Sequence, residues 1–498
     1  MNKIKKTNRT LVMVSIMFAI FMAAVEATIV ATAMPSIVGK LGGFSLYSWV
    51  FSAFLLAQAV TIPIYGKLTD LYGRKPVFTI GVMIFLFGSI LCGLAQSMQM
   101  LIIFRIIQGI GAAAVQPVAI TIVGDLYSSS ERAKIQGFIS GVWGGSAIVG
   151  PAVGGLIVQY MNWAWIFWLN LPIGILALLG IFLFLKENVV KQDHSIDYLG
   201  SGLIFIGVSA LMVLLIQSGL AWPWLSIPTI SLLGIVVVCF VFFIKHEKRV
   251  PEPVMPLGIW QNRLIVVSNL ATLTTGVVLI GLSSFLPTFV QGVMGKSPIM
   301  AGFALASMSV AWMLASIISG NLLHKVSIRL LSITGGIFII LGSLIMLTLR
   351  PESSWVWATT GSFLIGIGMG LARTVFIIAI QNSVDWQTRG VVTASNMFMN
   401  ILGNTLGAAL LGSILNNRLN DYLRSSRGGQ GAIPNLDVVN ILLDPAQRAL
   451  VSTDVLLVMK EGLASALQGV FGGVFIMALL SLLIITLLPR NNTPSSSY

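Results

Sequence analysis

The chain has 498 residues, of which 56% are hydrophobic and 9% are charged, and its formal net charge is +13. A soluble domain carries roughly 25% charged residues, so this composition excludes a soluble fold and favours a protein whose solvent is the lipid bilayer. The basic residues stand singly in short segments between apolar runs, without a basic helix or an aromatic and basic module. The positive charge therefore does not indicate nucleic-acid binding.

Apolar runs long enough to cross a hydrocarbon core of about 30 Å recur along the whole chain. The first six predicted spans are 11–34, 47–66, 76–96, 101–123, 135–159 and 165–185. Two more follow at 198–217 and 228–245. The last six are 264–289, 298–320, 328–349, 355–381, 391–415 and 464–488. We therefore predict about fourteen spans.

The order of these spans predicts three units. They are an N-terminal six-helix bundle over 1–185, a linker with two inserted helices over 186–262, and a C-terminal six-helix bundle over 263–498 with a long outer loop at 416–463. Cytoplasmic loops of membrane proteins are enriched in Lys and Arg. If the N-terminus is inside, the short outer loops contain only Lys40, Lys296 and Arg350. We therefore expect both termini on the cytoplasmic side of the inner (plasma) membrane.

The loop after the second span reads GKLTDLYGRK. Its glycines permit a tight turn and a close approach of helices, and its charged residues offer ion pairs. The residues concerned are Gly66, Asp70, Gly73, Arg74 and Lys75. A degraded copy, GNLLHKVSIR, follows the tenth span and indicates an internal duplication. Such repeats are typical of secondary transporters that alternate access around a central site.

Two later spans carry ordered small residues. The fourth contains RIIQGIGAAA, with Arg105 and Gln108, and the fifth contains GSAIVGPAVGG. An isolated glycine in a membrane helix indicates only close packing, whereas the ordered set also predicts a kink at its proline. That set is Gly145, Gly150, Pro151, Gly154 and Gly155.

Together these segments resemble the major facilitator superfamily. GKLTDLYGRK resembles the loop between that family's second and third helices, RIIQGIGAAA its arginine motif, and GSAIVGPAVGG its antiporter signature. The six, two, six order and the segment NWAWIFWLNLPIG resemble the fourteen-helix drug/proton antiporters of the multidrug exporter type. Ala164 stands where that family commonly has arginine, and Glu26 where it usually has aspartate. The resemblance implies an all-α polytopic membrane protein with the major facilitator fold, two six-helix bundles plus two inserted helices.

The resemblance also implies a conformational latch around the first loop. Its predicted members are Gly66, Asp70, Gly73, Arg74, Lys75 and Arg132. We expect Asp70 to pair with Arg74 or Arg132 near the positive end of the thirteenth span at Val391.

Charged residues inside membrane spans are costly, so each one is a functional candidate. Glu26 is the only acidic residue deep within a predicted span, and Arg105 lies at a similar depth. In the family the first and fourth helices line the central cavity, so we predict a proton-coupling pair of Glu26 and Arg105. A purely structural salt bridge is the alternative. The predicted cavity residues are Gln58, Gln108, Trp143 and Arg373, although Arg373 also has the alternative of reaching the interface with its long side chain.

The sequence contains no metalloprotease motif, phosphate-binding loop or nucleophile elbow. We predict no catalytic residue, metal or cofactor, and an ion gradient as the energy source. The resemblance implies a monomeric proton-coupled antiporter in the bilayer that exports small hydrophobic or amphipathic compounds such as drugs, dyes and antiseptics. A dedicated exporter of an endogenous lipid, peptide or siderophore is one alternative. A transport-dead membrane scaffold or receptor is another.

Overall fold

The structure is a computed structural model. It describes residues 7–127, 129–187, 197–218, 221–250, 255, 257–323, 325–385, 388–425, 436–443, 448, 451 and 453–489. Within these ranges it does not describe the side chains of residues 63, 67, 70, 129, 130, 132–134, 136, 137, 140, 437, 438, 453 and 454.

The described residues form helices throughout, with no strand among them. The first block contains α1 (Arg9–Leu41), α2 (Tyr47–Tyr72), α3 (Arg74–Gly93), α4 (Met98–Leu126), α5 (Ser129–Tyr160), α6 (Trp165–Trp168) and α7 (Asn170–Phe184). The next two helices are α8 (Tyr198–Gln217) and α9 (Ile227–Glu247). The last block contains α10 (Arg263–Thr288), α11 (Pro298–Leu322), α12 (Ile328–Leu347), α13 (Trp355–Asn382), α14 (Arg389–Ser425), α15 (Asn440–Leu443) and α16 (Thr453–Thr486). In the described part of the chain, 14 helical segments are long and apolar enough to cross a membrane, which confirms the predicted all-α polytopic fold.

Serine and asparagine side chains mark where several spans begin. Ser97 accepts a hydrogen bond from the backbone N–H of Met100 at the start of α4, and Ser297 does the same for Met300 at the start of α11. The first N–H groups of a helix have no partner within the helix, and lipid supplies none, so these caps fix where each span starts.

Equivalent glycine contacts occur in the two blocks. A Cβ atom added to Gly111 of α4 would overlap the backbone of Phe85 in α3. One added to Gly368 of α13 would overlap the backbone of Gly335 and lie 2.5 Å from Ile339 Cγ1, both in α12. Each block therefore packs its third and fourth helices through the same kind of glycine contact, as an internal duplication predicts.

We call the side on which α1 begins the N-terminal side. Arg263, which opens α10, donates a hydrogen bond to the carbonyl of Leu487 (3.1 Å), so the end of α16 lies beside the start of α10. Because each successive span reverses direction, Tyr47, Ser284 and Asn416 all lie toward the opposite side.

The two blocks are joined on this opposite side by hydrogen bonds. Tyr47 in α2 donates to the carbonyl of Ser284 in α10. Gln291 Nε2 donates to the carbonyl of Thr32 (3.0 Å), and Asn416 Nδ2 donates to the carbonyl of Ser45 (2.9 Å). These buried contacts close the opposite side of the molecule.

The facing helices α5 and α11 separate toward the N-terminal side. A Cβ atom added to Gly155 would lie 2.8 Å from the carbonyl oxygen of Pro298, and one added to Gly144 would lie 3.2 Å from Met313 Sδ. Gly141 in α5 and Gly320 in α11 continue the same two faces at helical spacing, yet a Cβ atom added to either would have no neighbour within 4 Å among the described residues. The space between the blocks therefore opens on the N-terminal side.

Candidate functional site

A buried cluster of polar side chains lies inside the first block, between α1, α3, α4 and α7. Its members, which we call the Glu26 cluster, are Glu26, Ser89, Arg105, Gln108 and Asn170. Their exposed fractions lie between 0% and 2%. Burial of this kind is costly unless each polar atom finds a partner, so the contacts within the cluster decide what it can do.

Both oxygens of the Glu26 carboxylate are bonded. Arg105 Nη1 donates to Glu26 Oε1, forming a direct ion pair, and also donates to Gln108 Oε1 (2.6 Å). Asn170 Nδ2 donates to Glu26 Oε2 (2.7 Å), and Gln108 Nε2 donates to Ser89 Oγ (2.8 Å). In this conformation the carboxyl group of Glu26 lies directly against the guanidinium of Arg105, so the charge of an ionised Glu26 would be balanced.

Arg105 is also held by α2. Its Nε donates to the carbonyl of Val50 (3.3 Å), and its guanidinium carbon lies 3.9 Å from the ring centroid of Phe54. A cation over an aromatic face is stabilised by the quadrupole of the ring. Because Tyr47, Val50 and Phe54 lie on one face of α2 at helical spacing, the same face contacts Arg105 and carries the Tyr47 contact that closes the opposite side.

Sequence reasoning placed Glu26 and Arg105 at similar depth, and the structure brings them into contact. It places Gln108, a predicted cavity residue, inside the cluster with no exposed surface. Ser89 and Asn170 were missed. Each is a single polar residue inside an apolar predicted span, which is a signal that a further search for buried polar residues would have found.

The predicted latch loop begins with a glycine-dependent turn. Gly73 joins α2 to α3 with φ +91°, a left-handed conformation that favours glycine. No described atom lies within 4 Å of a Cβ atom added to Gly66. Asp70 and Arg132 lie outside the described side chains, so their predicted pairing stays a prediction.

Arg74 and Lys75 have described partners that the sequence analysis did not name. Arg74 Nε lies 2.9 Å from Asp125 Oδ2 at the end of α4. The carboxylate of Glu187 accepts from the backbone N–H groups of Arg74 (2.7 Å) and Lys75 (2.8 Å) and so caps the positive end of α3. Sequence reasoning singled out neither Asp125 nor Glu187.

Lys75 completes a reciprocal arrangement with α7. Its Nζ donates to the carbonyls of Phe182 (2.8 Å) and Leu185 (2.9 Å) at the C-terminal end of that helix. Glu187, which follows α7, thus caps the N-terminal end of α3, and Lys75, in the first turn of α3, caps the C-terminal end of α7. Each charge lies at the helix end that the helix dipole favours. This pair of caps fixes α3 against α7 on the N-terminal side.

The antiporter-type glycines of α5 face two different neighbours. A Cβ atom added to Gly150 would overlap Thr28 Oγ1 in α1, and one added to Gly154 would lie 2.8 Å from Ile29 Cγ1. Gly155 instead faces α11 in the other block, and Gly145 has no neighbour within 4 Å. Pro151 is accommodated within a continuous α5. The motif therefore lets one helix pack closely on α1 and on the opposite block at once.

The remaining predicted cavity residues, Gln58, Trp143 and Arg373, are all partly exposed. Among the described residues, the indole N–H of Trp143 has no hydrogen-bond partner. The guanidinium carbon of Arg373 lies 5.4 Å from the ring centroid of Trp312. In the described part of the chain, no group of three or more His, Cys, Asp or Glu residues is arranged to hold a metal.

Comparison with known proteins identifies the family to which this architecture belongs. A family model described as "Major Facilitator Superfamily" matches residues 16–408. This chain belongs to the major facilitator superfamily. The family and its relatives indicate a multi-pass membrane transporter rather than an enzyme.

Two relatives from Bacillus subtilis (strain 168) align with most of this chain. "Multidrug transporter protein MdtP" is 36% identical over 419 residues, which are 84% of this chain and 77% of the relative. "Multidrug resistance protein 3" is 34% identical over 473 residues, which are 94% of this chain and 92% of the relative. The predicted family is confirmed, and with it the resemblance to its multidrug exporters.

A solved structure supports the fold of this superfamily member. The structure is of a bacterial homologue of the human lysosomal transporter Spinster, in an inward-facing and unoccupied conformation. It matches with a TM-score of 0.67 over 96% of this chain and 97% of that chain, at 18% sequence identity. At this identity the likeness concerns the fold alone.

Proposed function

We propose that this transporter exports small hydrophobic or amphipathic compounds, among them drugs and dyes, in exchange for protons, and that Glu26 carries the proton. The observation that supports this most is the Glu26 cluster, in which a fully buried carboxylate and guanidinium are paired inside the first block. Buried ion pairs are poor stabilisers compared with apolar packing, so stability alone does not account for this pair, whereas a role in binding and releasing a proton does. The names of the two Bacillus relatives supply the compound class.

The orientation of the proposal follows the basic residues. We assign the N-terminal side to the cytoplasm, so that this conformation is open inward and closed outward, and the protein acts as a monomer in the plasma membrane. Substrate then enters the space between α5 and α11 from the cytoplasm or the inner leaflet. Proton exchange requires the opposite conformation, in which the outer contacts of Tyr47 and Gln291 are broken.

Protonation of Glu26 changes the forces on α2. A neutral carboxyl attracts Arg105 far less than a carboxylate does, and Arg105 is also bonded to Val50 and lies over Phe54. A shift of Arg105 therefore acts on the helix face that carries Tyr47 and its contact with Ser284. In this mechanism Glu26 takes up a proton while the site faces outward, the protonated protein then closes its outer side, and release of the proton inward restores the ion pair before substrate binds.

Everted membrane vesicles test the proposal. We expect a lipophilic dye to accumulate in vesicles that contain the parental protein and an imposed pH gradient, and a proton uncoupler to abolish this accumulation. Vesicles without the protein are the control. Dye accumulation that persists in the presence of the uncoupler would contradict proton coupling.

A further inference from the structure

Arg373 lies on the face of α13 that points into the protein. Met369, Phe376 and Ile380 share this face at helical spacing, and all three are buried. The opposite face carries Trp357, which is 46% exposed. Arg373 itself is partly exposed, so it borders the space between the two blocks rather than the lipid.

The guanidinium of Arg373 stays at the depth of its own helix turn. Nine residues separate Arg373 from Asn382 at the end of α13, which corresponds to about 13 Å along the axis. Trp312, over which the guanidinium lies, is ten residues from Leu322 at the end of α11, about 15 Å. An arginine that reached for the interface would leave this level, so the contact with Trp312 excludes that alternative for this conformation.

Arg373 has no counterion among the described residues. It makes neither a hydrogen bond nor an ion pair with any of them, and no charged side chain among them acts on it. Glu26, the one acidic residue near the middle of a described helix, is already paired with Arg105 inside the first block. A cation without a partner at this depth is costly, so its presence calls for a ligand.

The surroundings of Arg373 suit the apolar part of such a ligand. Trp312 is followed by Met313, which faces Gly144 in α5 across the junction of the two blocks. The junction therefore offers a positive charge beside the indole ring of Trp312, at the level where α5 and α11 begin to separate.

From this we infer that the central space selects amphiphiles that carry a carboxylate, and that Arg373 binds this group while Trp312 contacts the apolar part. This inference rests on the proposed export function and names its substrate class. A lipophilic cation would meet the uncompensated charge of Arg373 at close range and would be rejected. The same class includes foreign antimicrobials with a carboxylate and acyl carboxylates made by the cell.

Equilibrium binding with matched probes tests the inference. The probes are dansylaminoundecanoate, its neutral methyl amide and its quaternary ammonium amide, and energy transfer from tryptophan to the dansyl group reports binding to the purified full chain. We expect the carboxylate to bind about tenfold or more tightly than the ammonium probe, as charge-assisted hydrogen bonds do. Equal affinity, or tighter binding of the ammonium probe, would overturn the inference without any variant.

Two variants locate the effect. Arg373→Gln is expected to abolish the preference for the carboxylate, and its thermal unfolding profile, compared with that of the parent, shows whether the variant is folded. Arg373→Lys is expected to retain part of the preference, because a point charge remains without the planar fork. Arg350→Gln, in an exposed loop, is the matched control and is expected to behave as the parent. A preference that survives in Arg373→Gln would overturn the assignment of Arg373.

Two further measurements distinguish the possible sources of the carboxylate ligand, and separate a failure of this inference from a failure of the proposed export function. Competition by dodecanoate indicates a cellular acyl carboxylate, competition by cholate indicates a rigid polycyclic compound, and either result supports anion selection, whereas competition by neither overturns it. Binding to the purified protein needs no pH gradient. If an imposed pH gradient fails to drive transport of the neutral amide, that result counts against the proposed export function but leaves the measured binding preference for the carboxylate probe unaffected.

Discussion

The phenol of Tyr47 in α2 bridges the two blocks, because it donates to the carbonyl of Ser284 in α10 and accepts from the hydroxyl of Thr288 (3.0 Å). Its ring also stacks on Phe285 with ring centroids 5.6 Å apart. One side chain thus combines a buried hydrogen-bonded hydroxyl with apolar contact at the closed side of the molecule. This arrangement lets a single hydroxyl group contribute directly to the balance between the two conformations.

We expect Tyr47→Phe to shift the protein toward the form that is open on the opposite side. The variant keeps the ring but removes the donor to the carbonyl of Ser284 and the acceptor for the hydroxyl of Thr288, at a cost of about 1–3 kcal/mol. Spin labels on Cys introduced at Met161 and Glu352, in a background where Cys92 and Cys239 are Ser, would report the distance between the blocks. Tyr65→Phe, on the same helix, is the control. Identical distance distributions in both variants would contradict this role of Tyr47.

We expect the loss of the Glu187 carboxylate to loosen the junction of α3 and α7. Glu187→Gln removes the charge that accepts from the backbone of Arg74 and Lys75, and a lost helix cap of this kind costs about 1 kcal/mol. Thermal unfolding in detergent is expected to show a lower Tm for this variant. Glu352→Gln, an exposed acid in a loop, should leave the Tm unchanged. An equal Tm for Glu187→Gln and the parent would show that the cap contributes nothing.

Gly150 offers a test of the close packing between α5 and α1. Gly150→Ala is expected to lower transport and stability, because the new Cβ atom would overlap Thr28 Oγ1. Adding Thr28→Ala removes that oxygen and should restore part of both, whereas Thr28→Ala alone should have little effect. Dye efflux and thermal unfolding measured on all three variants give a double-mutant cycle. Purely additive losses would mean that the contact with Thr28 is not what requires glycine.

Labelling of introduced cysteines tests the orientation in the membrane. Distribution of Lys and Arg predicts that residue 130 is cytoplasmic and that residue 425 is outside. An impermeant maleimide should therefore label Ser425→Cys in intact cells, and Ser130→Cys only after the membrane is permeabilised. The reverse pattern would invert the topology and with it the direction of the proposed transport.

The sequence predicts the spans well because each one depends on local apolar length, and it predicts the depth of Glu26 and Arg105 because depth follows from position in a span. It does not predict lateral neighbours. Ser89 and Asn170 reach Glu26 only because α3 and α7 are packed beside α1, and span length carries no such information. For these two residues, the sequence shows a polar side chain inside an apolar span but does not show which helix that side chain faces.

The loop motif shows the same limit. The pairing of Asp70 with Arg74 or Arg132 stays a prediction. The described partner of Arg74 is Asp125 at the end of α4, and Glu187 from beyond α7 accepts from the backbone N–H of Arg74. The direction of opening was likewise not predictable. Gly141 and Gly155 are equivalent residues on one face of α5, and only the packed structure shows that Gly155 is closed against α11 and Gly141 is not.

Proton-driven efflux by Glu26→Gln is the measurement that tests the account most directly. The amide keeps a similar shape and can still bond to Asn170, but it does not titrate, so the variant is expected to bind dye and fail to exchange it for protons. In reconstituted vesicles with an imposed pH gradient, the account predicts dye binding at the parental level, no substrate-induced proton release, and efflux no faster than in vesicles without protein. Glu26→Asp is the control that keeps a carboxylate. Uphill efflux by Glu26→Gln at the parental rate would show that the proton takes another route and would contradict the proposed mechanism.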